Sequence, residues 1–94
     1  MIIGVDIDGT LTKETEGHDY LSRTPNVKMI KKVNEWYKEG HTIVLFSSRW
    51  ESDKADTKKW MKQYDVKYHT LILGKPVFDL YVDDISIRPE EACK

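Results

Sequence analysis

Two aspartates one residue apart, Asp6 and Asp8, directly follow a short apolar run and precede Gly9, Thr10 and Leu11. Farther along, Ser47, Ser48 and Arg49 follow a second apolar run, Lys75 stands between Gly74 and Pro76, and an acidic pair, Asp83 and Asp84, follows Val82. These residue types suit the handling of a phosphoryl group. A phosphomonoester carries about two negative charges, so a carboxylate attacks it only where a divalent cation and a Lys offset the repulsion. Asp6, Asp8, Asp83 and Asp84 offer the hard oxygen ligands that Mg²⁺ takes, and Lys75 offers a point charge for phosphate oxygens. Ser47 Oγ, with backbone N–H groups around Ile7, Asp8 and Gly9, would hold the remaining phosphoryl oxygens.

The elements that must position these residues follow from the hydrophobic pattern. Residues 1–7 (MIIGVDI) are apolar on both alternating faces, as in a central parallel strand. Residues 9–23 show neither period and read as a loop. Thr24 and Pro25 supply a helix start, and Val27, Ile30, Val33, Trp36 and Tyr37 recur at helical spacing until Gly40. Residues 41–46 form a second strand and residues 52–64 a second amphipathic helix, with Ala55, Trp60, Met61 and Tyr64 as its apolar side. A third strand is expected at 69–73 and a fourth at 77–82, with too few residues after Asp84 for another strand and helix. Strands alternating with helices predict an α/β fold: a three-layer, Rossmann-like sandwich around a short, mostly parallel sheet of about four strands. In such sheets ligands bind beyond the carboxyl ends of the strands, where Asp6, Asp8, Ser47, Asp83 and Asp84 would meet.

The stretch from Gly4 to Leu11, Gly-Val-Asp-Ile-Asp-Gly-Thr-Leu, resembles the nucleophile motif of the haloacid dehalogenase (HAD) superfamily. Asp-x-Asp-Gly-Thr should arise by chance in roughly one chain in a thousand of this length, given ordinary residue frequencies. Ser47, Lys75 and the acidic pair then follow in the family order, so the resemblance spans residues 1–84. It implies that Asp6 is a nucleophile forming an aspartyl-phosphate, and that Asp8 first protonates the leaving oxygen and then activates water. It implies Mg²⁺ as cofactor, held by Asp6, Asp8 and Asp83, with Asp84 acting through water or hydrogen bonds. Because dehalogenating members lack the second Asp, and cation-pumping ATPases carry Thr there, Asp8 favours phosphomonoester hydrolysis. Neither gap between motifs has room for the usual cap, which implies a single capless phosphatase domain, with Gly9, Thr10, Ser48 and Arg49 as the candidates for substrate contact.

The chain has 94 residues, with 15 Lys and Arg against 16 Asp and Glu and a net charge of −1. That length holds one domain, and the charge gives no global attraction to nucleic acid or an acidic membrane. A single cysteine, Cys93, rules out an internal disulfide, and no apolar stretch approaches the roughly 20 residues of a membrane span. With no secretory leader, a cytoplasmic location is expected.

Several residues carry plainer readings. Arg49 and Trp50 are expected at the mouth of the site, where Arg49 either holds a phosphate or makes a surface salt bridge and Trp50 either stacks on a ring or is a partly buried aromatic. Trp36 and Trp60 read as core. His18, His41 and His69 show no metal-ligand spacing. Lys28, Lys31 and Lys32 read as a solvated helix face, with nucleic-acid binding as the alternative. The expected substrate is a phosphorylated small molecule. Resemblance to the phosphatase half of phage polynucleotide kinases keeps a nucleic-acid 3′ end as the alternative, and a non-catalytic phosphate-binding or partner-binding module is the rival from another class. A sheet this short leaves an edge that a second subunit could cover, which points to a homo-oligomer.

Overall fold

The computed structural model describes residues 1–13 and 19–94. Three strands, β1 (Ile2–Val5), β2 (Thr42–Phe46) and β3 (Thr70–Ile72), form a parallel open sheet in the order β1-β2-β3. Ile3 pairs with Ile43, Val5 with Leu45, and Leu45 with Leu71, which fixes which side chains share a face.

Two helices make the crossovers, α1 (Val27–Lys38) and α2 (Lys54–Gln63). The cap of α1 is Asn26, whose Oδ1 accepts the Met29 N–H, so the helix starts later than Thr24-Pro25 suggests. Pro25 instead pairs with Thr12, and the Lys13 N–H reaches the Thr24 carbonyl, tying the start of the loop after β1 to its end. Gly40 ends α1 with φ 96°, a conformation that L side chains resist. One short 3₁₀ turn, Glu51–Asp53, leads into α2.

Successive right-handed crossovers that advance in one direction across a sheet place their helices on one side. The core matches: Ile3, Val5, Ile43, Leu45 and Leu71 face Met29, Ile30, Val33, Trp60 and Met61. Val27 and Ala55, expected on apolar faces, are exposed. On the opposite face of the sheet Ile2, Gly4, Thr42, Phe46, Thr70 and Ile72 are exposed and Val44 is half-buried. Helical cover, expected on both faces, lies on one among the described residues.

The expected fourth strand does not form, and the sheet has three strands rather than about four. Residues 77–87 instead make an exposed arm, followed by a short helix α3 (Pro89–Ala92) that packs against α1 through Ala92 and Cys93. The reason lies in the chain before the arm. Gly74 N–H donates to the Arg49 carbonyl and Lys75 N–H to the Ser47 carbonyl, which holds both residues at the carboxyl end of β2. A further parallel strand needs a crossover of a dozen or more residues, and only Pro76 separates Lys75 from Val77.

Candidate active site

The carboxyl ends of the strands bring Asp6, Ser47 and Lys75 to one side of the sheet. Asp6 leaves β1 in extended conformation, and the chain then makes a wide turn closed by the Thr12 N–H on the Ile7 carbonyl at 3.1 Å. Gly9 takes φ 80° inside that turn, which accounts for glycine after Asp8. Apolar Ile7 and Leu11 alternate into the core and leave Asp6 and Asp8 half-buried at the surface.

Asp6 and Asp8 have different surroundings. The Asp6 side chain is 40% exposed, and its nearest charge is Lys75, whose Nζ lies 3.5 Å from Oδ1. Partial burial raises the Asp6 pKa above the ordinary carboxylate value, and the Lys75 ammonium opposes that rise without cancelling it. Asp8 is clamped. Arg49 donates from Nε to Oδ2 at 2.9 Å and from Nη2 to Oδ1 at 2.7 Å, the two-pronged geometry that makes such pairs strong.

Arg49 is itself fixed on every side. Its Nη1 donates to Thr57 Oγ1 at 2.9 Å, and the Thr57 hydroxyl donates to the Asp53 carbonyl at 2.8 Å. The guanidinium lies 3.9 Å from the centre of the Tyr20 ring, a cation–π contact in a site shielded from water. The Arg49 N–H donates to Ser47 Oγ at 3.1 Å. Ser47 is buried, with its N–H on the Ile72 carbonyl, so the Ser-Ser-Arg corner is welded to β3.

Arg49 therefore does not stand at the mouth of the site: its side chain is 1% exposed and it makes a buried ion pair rather than a surface one. The mouth is lined instead by Asp6 and Lys75. Ser48 and Trp50 are exposed, whereas Thr10 is half-buried. The Gly9 N–H is already committed to Thr12 Oγ1 at 3.2 Å.

Asp83 and Asp84 lie on the exposed arm and not beside Asp6. The Tyr81 hydroxyl donates to Asp83 Oδ2 at 2.6 Å and the Ile85 N–H to Oδ1 at 3.2 Å, and these bonds lower the Asp83 pKa while raising that of Tyr81. Among the described residues of one chain, no three His, Cys, Asp or Glu side chains gather to hold a metal ion. His69 Nδ1 accepts the Ile43 N–H and its ring stacks on Tyr37, whereas His41 Nδ1 meets the terminal amine of Met1; His18 lies outside the described residues. Lys28, Lys31 and Lys32 line an open groove with Glu35 and Lys94.

Two members of the site carried no signal in the sequence. Tyr20 sits in a polar loop without period, and Thr57 reads as one more polar residue of α2. Both matter only because Arg49 turns inward, which nothing local encodes.

The fold is shared with a structural-genomics target from Vibrio cholerae, 27% identical, at a TM-score of 0.90 over 99% of this chain and 88% of that one. A chain of the Pnkp1/Rnl/Hen1 complex, 20% identical, matches at a TM-score of 0.71 over 96% of this chain and 32% of its own length. No curated protein matches the chain significantly. Residues 1–85, which include Asp6, Asp8, Ser47, Arg49, Lys75 and Asp83, match the family of the polynucleotide kinase PNKP phosphatase domain, and the chain belongs to that HAD-type phosphatase family.

Proposed function

We propose that the chain is a capless, Mg²⁺-dependent phosphomonoester hydrolase that works through an aspartyl-phosphate on Asp6. The observation that carries this reading is the asymmetry of the two carboxylates: Asp6 is open at a strand end with one ammonium 3.5 Å away, while Asp8 is immobilised by Arg49. An open carboxylate beside a cation suits attack on an anionic phosphorus, and a clamped neighbour suits proton transfer, in which orientation matters most.

The chemistry balances in two steps. An Asp6 oxygen attacks phosphorus as the bond to the leaving alcohol breaks, and Asp8 gives its proton to the leaving oxygen. Water then attacks the same phosphorus and gives a proton to Asp8; the bond to Asp6 breaks and inorganic phosphate leaves. Arg49 takes one lone pair of each Asp8 oxygen in the free protein and so fixes the direction in which the remaining lone pairs can take a proton. Arg49 is accordingly a positioning residue. Lys75 draws the phosphate towards Asp6 and offsets its charge.

Oxygen donors suit a hard dication, and Mg²⁺ commonly takes one or two carboxylates and completes its shell with water and substrate phosphate. Asp6 is the carboxylate of the pair left accessible, so it would be the side-chain ligand from the body of the sheet; Asp83, set apart from it in one copy, would join it only by way of a second copy. Bound there, Mg²⁺ would neutralise phosphoryl charge.

Family membership supports a phosphorylated polynucleotide end over a small metabolite among phosphomonoesters, and the basic groove along α1 is compatible with it. Hydrolysis of an aryl phosphate and of a 3′-phosphorylated oligonucleotide, each with Mg²⁺ and with chelator, tests the reading. Turnover of either substrate that stops with chelator is expected; equal rates in both conditions, or no turnover of either, would refute it.

A further inference from the structure

We infer that the arm at residues 77–87 belongs to the sheet of a second copy of this chain, and that two copies exchange arms so that each supplies Asp83 to the Asp6 site of the other. The site part of this inference rests on the phosphatase reading above; the exchanged arm does not.

Three features of the chain point the same way. The arm carries Val77, Phe78, Leu80, Val82, Ile85 and Ile87, with Val77, Val82 and Ile85 more than 80% exposed. Several large apolar side chains left in water along one short segment mark an interaction site. Second, β1 has a strand partner on one side, and the uncovered face of the sheet presents Ile2, Phe46 and Ile72. An open edge beside an apolar face accepts a further strand. Third, the arm cannot fill that edge in its own molecule as a parallel strand. It is pinned at one end by the Gly74 and Lys75 hydrogen bonds and at the other by α3 against α1, with Pro76 alone available for the crossover.

A second copy removes the obstacle, because its arm enters the edge without any crossover. Laid parallel to β1, the arm would carry Val82 alongside the end of the strand and bring Asp83 beyond it, beside Asp6. The chemistry of the arm thus matches both halves of the surface it would cover: apolar residues for the sheet face and a carboxylate for the site. The arrangement closes with twofold symmetry, since each copy gives one arm and receives one at its β1 edge.

Sedimentation of the wild-type chain at tens of micromolar should give a dimer, and a Leu80→Asp/Val82→Asp double variant should give a monomer that keeps the helical signal of its circular-dichroism spectrum. A wild-type monomer would overturn the exchange. The composite site is tested by co-expressing Asp6→Asn and Asp83→Asn chains with different tags. Each variant alone should bind Mg²⁺ weakly by calorimetry and turn over little, whereas random pairing should restore about a quarter of wild-type sites, because half the dimers are mixed and each holds one intact site of two. A mixture no better than its components would refute the shared site. A wild-type dimer that neither binds Mg²⁺ nor hydrolyses phosphate would refute the phosphatase reading and the shared site together, leaving the exchanged arm to stand on the sedimentation result.

Discussion

The two faces of the sheet are built differently. On one, Val5, Ile43, Leu45, Trp60 and Met61 are buried among helices, and the Arg49 cluster beyond it leaves no buried side-chain polar atom unsatisfied among the described residues. On the other, Ile2, Phe46 and Ile72 meet solvent, and the nearest unused apolar surface is an arm that forms no strand. The difference teaches that the chain completes one half of its fold alone. That half holds Asp6, Asp8, Ser47 and Lys75, so the reactive pair is prepared within a single copy.

The contrast breaks most visibly in the core. Trp60 is fully buried and its Nε1 donates to the Arg23 carbonyl at 2.9 Å, so Trp60→Ala should cost about 4 kcal/mol, enough to unfold much of a domain this small. Ile72→Ser on the uncovered face should cost under about 1 kcal/mol in the monomeric arm variant. Chemical denaturation of both proteins checks the pair; equal losses would mean that the faces do not differ.

Arg49→Ala comes next. It leaves the half-buried Asp8 without its guanidinium and removes the donor to Thr57 Oγ1, for an expected loss of about 3 kcal/mol. Arg49→Lys should recover part of that stability but not the two-pronged hold on Asp8, so turnover of a substrate with a poor leaving group should fall more than turnover of an aryl phosphate. Equal falls for both substrates would remove Arg49 from the positioning of the proton donor.

Thr57→Val should have a smaller effect, about 1 to 2 kcal/mol, because one buried Arg49 donor loses its acceptor while the shape is kept. Denaturation again reads it, and a neutral result would show that Tyr20 and Asp8 suffice to hold the guanidinium.

How much of this was legible in the sequence depends on range. Asp6 and Asp8 were readable because strand, turn glycine and acid spacing lie within a few residues of one another, β1 and β2 because they are short apolar runs closed by polar residues, and α1 because its apolar period is sustained over three turns. Lys75 was readable through its Gly and Pro neighbours, which put it at a turn that proves to be hydrogen-bonded to Ser47. Residues 77–82 read as a strand because all but Asp79 are apolar and Gly74-Lys75-Pro76 precedes them, while the lack of a crossover before them is a property of topology and not of composition. Arg49 stands two residues from Ser47, the serine expected to hold phosphate, and only the tertiary approach of Tyr20 and Thr57 turns it inward. Asn26 replaced Thr24 as helix cap because Thr24 and Pro25 are drawn into pairing with Lys13 and Thr12.

The smallest expected effect on stability concerns Asp6 itself. Its raised pKa means that the folded chain holds the carboxyl proton more tightly than the unfolded chain does, so ionisation of Asp6 opposes folding. In the metal-free protein this penalty is absent below the ordinary carboxylate range and is fully present once the pH exceeds the folded value. Asp6→Asn should therefore raise Tm slightly at neutral pH while removing turnover, and the gap between the two melting temperatures should close as the pH falls. A lower Tm for the variant at neutral pH would reverse that account of Asp6.

The assignment of Asp6 as nucleophile and Asp8 as proton carrier is tested most directly by acid-quenching the protein during turnover of an aryl phosphate and locating the phosphoryl group by mass spectrometry. The account predicts phosphate on Asp6 in the wild type, accumulation on Asp6 in Asp8→Asn because the hydrolysis step is slowed, and none in Asp6→Asn. Phosphate on Ser47 or on any residue other than Asp6, or an unchanged phosphoprotein in Asp6→Asn, would contradict it.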